Sequence, residues 1–242
     1  MLTVHRWLKT WQEHVDIYIA LTEFCRQKFI EGGLPSEKIH VKPNFVNPDP
    51  GLRKGNGHYA LFVGRLSLEK GVRTMLRVWQ GVKGIPLKIV GDGPLLDEVQ
   101  AFVQKEKLES VEVLGRRTPA DVTLLMKGAK FLVFPSVWYE TFGLVAIEAF
   151  GCGVPVIASR LGAMAEIVEE GHTGLLFRAG DPGDLAEKVR WAVDHTDALR
   201  RMGENARRVY EEKYTKEKNY NMLLDMYEQA IRKASCERAS QK

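Results

Sequence analysis

The sequence predicts an α/β fold in which helices cover both faces of a doubly wound parallel sheet. Eight short runs of strand-forming residues alternate with helical patterns from Val15 onward: VDIYIA, IHVKP, YALFVG, LKIVG, VEVLG, FLVFPS, VPVIAS and GLLF. Strands separated by helices in this way form βαβ units, whose strands are parallel. Apolar residues make up 45% and charged residues 27% of the chain, which is typical of an ordinary globular protein.

A break in this alternation divides the chain. Residues 43–56, PNFVNPDPGLRKGN, hold three prolines, two glycines and three asparagines without periodicity, which predicts an interdomain linker over residues 46–57. Residues 1–45 predict a short helix, a strand at Val15–Ala20, a helix and a strand, too little to form a core alone. Residues 58–196 predict six strands and a complete sheet, and residues 197–242 predict two helices with a fraying polar tail.

Composition excludes several function classes. The net charge of +4 comes from basic residues dispersed among acidic ones, so a nucleic-acid-binding face is not indicated. No apolar stretch reaches the roughly 18 residues of a membrane span and no signal peptide is evident, so we expect a cytoplasmic protein with at most peripheral contact at the inner membrane face. The three cysteines are scattered and the six histidines lack ligand spacing, which predicts reduced thiols and no metal.

Two cations follow the strand YALFV. In VGRLSLEKG, residues 63–71, Gly64 and Arg65 come directly after the strand and Lys70 precedes the next helix. Ligands of α/β sheets bind beyond the carboxyl ends of the strands, and guanidinium and ammonium groups favour phosphates. The motif therefore indicates a diphosphate site that works without a metal. The alternative is a solvated turn whose charges bind nothing.

Two carboxylates occur in FPSVWYETFGLVAIEAFGCGVPVIAS, which predicts a strand, a loop, a helix and a strand. Glu140 lies in the loop and Glu148 lies in the apolar helix, where a carboxylate requires a hydrogen-bond donor. Sugar and ribose hydroxyls are such donors, and the free N–H groups of Phe142 and Gly143 at the helix start can bind phosphate or sugar oxygens. The alternative for Glu148 is a structural ion pair with a nearby Lys or Arg.

Together with GDGP and EEGHTGLLF, these motifs closely resemble the carboxyl-terminal domain of the family 4 retaining glycosyltransferases of GT-B fold, over about residues 59–194. Weaker similarity extends back through residues 16–46. The most specific element is the pair of glutamates with seven residues between them. The resemblance implies a Rossmann-like domain preceded by a small β-α-β remnant of the amino-terminal domain.

The resemblance also implies roles for the matching residues. Arg65 and Lys70 contact the diphosphate of a UDP- or GDP-sugar, Glu140 contacts hydroxyls of the transferred sugar, and Glu148 contacts the ribose. The loop near Arg116 and Arg117 holds the base, and no cofactor takes part. The implied catalytic residues are Arg65, Lys70 and Glu140, and the implied donor-binding residues are Gly64, Arg65, Lys70, Arg117, Glu140, Thr141, Phe142, Gly143, Leu144 and Glu148.

Two departures from the family pattern affect the functional hypothesis. Thr141 replaces the glycine that usually follows the first glutamate, and its side chain can tighten or redirect the sugar pocket. The amino-terminal domain, which in the family supplies the acceptor site and a histidine near the reacting sugar, is nearly absent. We therefore expect the donor-binding half of a retaining hexosyltransferase for a glycan or lipid-linked acceptor. The alternative is an inactive nucleotide-sugar-binding module that needs a partner acceptor domain.

Other motifs favour structural roles. GDGPLL lacks the third glycine of a dinucleotide fingerprint, which disfavours an NAD-binding or flavodoxin-like protein, and it predicts a turn with Pro94 at the first helical position. His172 in EEGHTG is interpreted as a turn residue rather than a catalyst. Trp138 and Tyr139 can stack on a sugar, although packing is expected for at least one of them.

Overall fold

The computed structural model describes residues 5, 7 and 10–240, and the six-stranded parallel sheet predicted for residues 58–196 is present. Strands β1 and β2 form a separate parallel pair, and the larger sheet has the order β5-β4-β3-β6-β7-β8. The strand order changes direction between β3 and β6, which places a ligand crevice at their carboxyl ends. The strands β1 to β8 span Tyr18–Ala20, Ile39–Val41, Tyr59–Val63, Leu87–Val90, Val111–Gly115, Ala129–Phe134, Val156–Ser159 and Gly174–Phe177.

Ten α-helices are defined in the part of the chain that the structure describes. The helix that begins at Pro182 has a side-chain cap. Asp181 accepts hydrogen bonds from the N–H groups of Gly183 and Asp184 and precedes a proline at the first helical position, a combination that favours helix initiation. The helices α1 to α10 span Thr10–Glu13, Glu23–Glu31, Val72–Trp79, Leu96–Lys105, Pro119–Gly128, Leu144–Gly151, Met164–Ile167, Pro182–Asp194, Thr196–Lys213 and Lys216–Ser240.

Three boundaries differ from those the sequence predicts. The first strand begins at Tyr18 rather than Val15, and α4 begins at Leu96, two residues after Pro94. The polar tail predicted to fray continues α10 as far as Ser240, and residues 241–242 lie outside the described part. An exposed ion pair between Arg232 and Glu228, one turn apart at 2.8 Å, precedes this stretch.

The core consists of two apolar layers, one on each face of the sheet. Because side chains alternate along a strand, Phe131 and Val133 of β6 pack in one layer and Leu132 and Phe134 in the other. Helices α3, α4 and α8 cover the first layer, and α6 and α9 cover the second. Within the described residues, no helix is long and apolar enough to cross a membrane.

The segment predicted as a linker lies against the domain. Residues 42–58 contain no helix or strand, yet the N–H of Val46 donates to the carbonyl of Tyr214 at 3.1 Å and the N–H of Arg53 donates to that of Cys152 at 3.0 Å. The Arg53 guanidinium also donates to the carbonyl of Ala129 at 2.6 Å. These contacts fix the segment on the six-stranded domain, so it is not a free tether.

The GDGP turn after β4 supports the loop after β3. The N–H of Leu66 donates to the carbonyl of Asp92, and the carbonyl of Leu66 accepts from the N–H of Leu95, both at 2.9 Å. Gly91 has φ of 147°, and a Cβ there would lie 1.8 Å from the carbonyl oxygen of Gly64. Only glycine allows this approach.

The substitution Gly91→Ala is therefore expected to destabilise the fold by more than about 2 kcal/mol, since it adds backbone strain to a direct steric overlap. Urea unfolding followed by circular dichroism measures the effect. Gly81→Ala is the matched control because no atom lies within 4 Å of its added Cβ, and we expect a change within about 0.5 kcal/mol. Equal midpoints for wild type and Gly91→Ala would contradict the assigned role.

Candidate active site

The loops after β3 and β6 are joined at the carboxyl edge of the sheet. The carbonyl of Glu69 accepts a hydrogen bond from the N–H of Val137 at 2.9 Å and lies 3.0 Å from the hydroxyl oxygen of Ser136. Gly71 has φ of 69°, and a Cβ there would lie 1.8 Å from the carbonyl oxygen of Pro135. Glycine at this position lets the two loops touch. The preceding residue, Lys70, is thereby brought next to the loop after β6.

Lys70 and Glu140 form an ion pair across these loops. The Nζ–Oε1 distance is 2.6 Å, and the Ser136 hydroxyl donates to the same carboxylate oxygen at 2.6 Å. The two side chains are 29% and 18% exposed, so the pair is shielded from water and strengthened by hydrogen bonding. The Oε2 atom of Glu140 accepts no hydrogen bond from the described residues and remains available to a ligand.

A cleft of about 320 Å³ opens between the two loops. Arg65 borders it and is exposed, and its guanidinium forms no ion pair or hydrogen bond with any described residue. At the start of α6, Gly143 adopts φ of 90°, and none of the N–H groups of residues 142–145 donates a hydrogen bond within the described chain. Two cations and a helix start favour an anion here. Six of the residues predicted for the site line this cleft: Gly64, Arg65, Lys70, Glu140, Gly143 and Leu144.

A second cavity of about 740 Å³ adjoins the first, with Val63 lining both. It contains Glu148 and Arg117. Burial raises the pKa of Glu148, and no donor whose position the structure describes bonds to its carboxylate. The structural ion pair considered as an alternative is therefore not found in that range, and the carboxylate faces a cavity that can hold a ligand.

Two predicted site residues, Thr141 and Phe142, lie outside the linings of both cavities. Thr141 is exposed and does not line the cleft; its carbonyl instead accepts from the Thr22 hydroxyl at 3.4 Å and the Cys25 thiol at 3.2 Å. The Phe142 ring is buried against Tyr214, with 5.9 Å between ring centroids. Any ligand contact of Phe142 must therefore come from its N–H group.

Sequence reasoning missed Ser136 and Glu166. Ser136 holds Glu140, and Glu166 accepts from the N–H groups of Glu23 and Phe24 at 3.0 and 2.9 Å, which fixes α2 beside the site. Ser136 could have been found, because it lies just after the end of a strand. Glu166 could not, because its role depends on a contact between residues 142 positions apart. Tyr139 packs against Phe24, with 5.1 Å between centroids.

The other residues that the sequence singled out lie in ordinary surroundings. Trp138 is 69% exposed, and His172 lies in a turn where the Asn205 amide donates to its carbonyl at 2.9 Å. Among the side chains that the structure describes, no group of three or more His, Cys, Asp and Glu is arranged to hold a metal ion.

A profile of the family described as "Glycosyl transferases group 1" matches residues 46–209. The chain belongs to this family. It is 34% identical over 210 residues to an uncharacterized glycosyltransferase of Methanocaldococcus jannaschii, covering 85% of this chain and 58% of the relative. It is 33% identical over 206 residues to a phosphatidyl-myo-inositol mannosyltransferase of Mycobacterium leprae, covering 80% and 54%. The chain thus spans little more than half the length of these relatives.

Solved structures of similar fold agree with this membership. The Anabaena protein HepE, in complex with UDP and glucose, superposes with a TM-score of 0.80 at 23% identity, covering 88% of this chain and 63% of that one. Sucrose-phosphate synthase from Thermosynechococcus elongatus superposes with a TM-score of 0.83 at 24% identity, covering 96% and 62%. The α/β fold of the prediction is confirmed, and so is its resemblance to glycosyltransferases.

The raised pKa of Glu148 predicts how stability depends on pH. The ionised carboxylate is disfavoured in the folded state, so it lowers the free energy of unfolding. This loss of stability is complete at a pH above the folded-state pKa and disappears at a pH below the ordinary pKa of 4.5. Glu148→Gln is therefore expected to unfold about 2 °C above wild type at pH 7, with the difference vanishing near pH 4. Scanning calorimetry across this range measures it, with Glu187→Gln on the exposed face of α8 as the control. A lower unfolding temperature for Glu148→Gln at pH 7 would show that the carboxylate stabilises the fold.

Proposed function

We propose that this chain is the donor-binding part of a retaining hexosyltransferase that uses a UDP- or GDP-sugar and a glycan or lipid-linked acceptor. One observation carries the proposal: Arg65, Lys70, Glu140 and the unpaired N–H groups at the start of α6 surround a single cleft. A diphosphate fits the cations and the N–H groups. A sugar attached to that diphosphate would then lie against Glu140.

The cations have a role in the reaction as well as in binding. When the bond between the anomeric carbon and the diphosphate oxygen breaks, negative charge grows on the departing diphosphate. Arg65 and Lys70 stabilise that charge more strongly in the transition state than in the ground state. An acceptor hydroxyl then bonds to the anomeric carbon on the same face and gives its proton to the departing diphosphate oxygen, which yields retention. Arg65 and Lys70 neutralise the diphosphate charge as a metal ion would, so the proposed reaction needs no metal ion.

The Lys70–Glu140 pair favours a sugar contact over a phosphate contact for the carboxylate. Lys70 holds one oxygen of Glu140 at 2.6 Å, while the other oxygen is available to accept from a sugar hydroxyl. Glu140 would repel a phosphate directly, but a neutral sugar beside it satisfies the carboxylate. We place the hexose at Glu140 and the phosphates at Arg65, Lys70 and the start of α6.

The adjoining cavity suits the nucleoside. Glu148 lacks a protein donor among the described residues, and the two ribose hydroxyls supply donors for it. Arg117 borders the same cavity, on the side where we place the base. The Anabaena protein of similar fold was solved in complex with UDP and glucose, which favours UDP over GDP as the nucleotide of the donor.

The domain organisation is part of the proposal. Residues 1–45 would be the remnant of an amino-terminal acceptor domain, 46–57 the linker, 58–196 the nucleotide-sugar-binding domain and 197–242 the closing helices. Because the chain spans little more than half of its relatives, a binding module that needs a separate acceptor domain is the second candidate. Transfer or donor hydrolysis by the purified chain alone would decide against that candidate.

Calorimetric titration of UDP and GDP tests the assigned cations. We expect the double substitution Arg65→Ala/Lys70→Ala to weaken the affinity for the better nucleotide by at least about 100-fold, since two charge-assisted contacts of about 1.5–3 kcal/mol each are lost. EDTA should leave wild-type affinity unchanged. Arg73→Ala is the control, because Arg73 pairs with Glu98 on the surface at 2.7 Å. Equal affinity in wild type and the double variant would refute the role of Arg65 and Lys70.

A further inference from the structure

Residues 46–50, which precede β3, form one wall of the larger cavity. The opposite walls are the first two turns of α5 and the side chain of Glu148 on α6. A ligand that bonds to Glu148 therefore has this segment beside it. The segment contributes two prolines to the wall, and proline rings give a flat, apolar surface without N–H groups.

An ion pair holds the middle of this wall in place. Both carboxylate oxygens of Asp49 accept from the Arg207 guanidinium at 2.7 Å, the bidentate geometry of the strongest charge-assisted pairs. Arg207 is itself fixed: its side chain is 14% exposed, and it donates to the carbonyl of Gly151 at 2.6 Å. The guanidinium lowers the pKa of Asp49, so the pair stays charged at neutral pH.

A glycine at the end of α6 allows residues 46–50 to pack closely against the helix. A Cβ at Gly151 would lie 2.8 Å from Cγ of Pro50, so glycine at this position lets the segment approach the helix. The carbonyl of Gly151 accepts from Arg207. The hydrogen bond of Val46 fixes the start of the segment, and those of Arg53 fix the chain three residues beyond its end. The wall is therefore attached to the domain at its start, at Asp49 and just after its end.

We propose that residues 46–50 contact the nucleoside of the donor, and that the Asp49–Arg207 pair is the positioning element that holds them against it. The inference rests on the proposed function, which places the ribose at Glu148. A preordered wall spares the ligand the entropic cost of ordering it. Without the ion pair, nucleoside binding would have to order the segment, so the affinity for the nucleoside would fall. The affinity for the phosphates would not change.

The test compares ligands that reach different parts of the site. UMP, GMP and inorganic pyrophosphate are titrated against wild type, Asp49→Asn and Glu211→Gln. Glu211 is the matched control because it pairs with the same guanidinium at 2.6 Å but does not line the cavity. We expect Asp49→Asn to weaken the tighter nucleoside monophosphate about tenfold and to leave pyrophosphate unchanged, while Glu211→Gln changes neither.

A second measurement uses wild type and needs no substitution. Hydrogen–deuterium exchange should slow in peptides covering residues 44–53 when the nucleoside monophosphate is bound, and should not slow with pyrophosphate alone. The wall inference is overturned if the monophosphate binds without protecting this segment, or if Asp49→Asn binds it as wild type does. If wild type binds none of the three ligands, the proposed function itself fails, which is a different outcome.

Discussion

The contact between the loops after β3 and β6 determines the chemistry of this protein. A parallel sheet places the two strand ends side by side, but it does not fix where the loops beyond them point. Here the carbonyls of Glu69 and Pro135 lie at the junction, and the missing side chain of Gly71 lets them approach. Lys70 is consequently within 2.6 Å of Glu140, although 70 residues separate them in sequence.

The charged groups and N–H groups of the site are only partly balanced by one another. Lys70 is paired with Glu140, whereas the guanidinium of Arg65, the N–H groups at the start of α6 and the carboxylate of Glu148 have no hydrogen-bond or ion-pair partner among the described residues. A helix start contributes about 0.3–1 kcal/mol toward an anion, less than the roughly 1.5–3 kcal/mol of a charged hydrogen bond. The cations therefore dominate diphosphate binding, and the helix start orients it. An anion joined to hydroxyl groups satisfies all of these groups together.

Much of this arrangement was predictable from sequence, for identifiable reasons. Buried parallel strands appear as short apolar runs, so the six strands were evident. Arg65 was assigned to the site because it directly follows one of these strands, and Lys70 because it precedes the next helix. The wall beside Glu148 was not predictable, because Asp49 and Arg207 are 158 residues apart and a proline-rich segment without periodicity indicates a linker. Thr141 illustrates a further limit: a sequence motif names a side chain, whereas the structure uses the carbonyl of that residue.

The two cavities and the residues between them form a single site only if one nucleotide occupies both. A crystal structure of the chain with bound UDP tests this directly. The account requires diphosphate oxygens within hydrogen-bond distance of Arg65 and Lys70, with the ribose hydroxyls donating to Glu148. A nucleotide bound at another face of the sheet, or one in this crevice with its phosphates beyond reach of both cations, would contradict it.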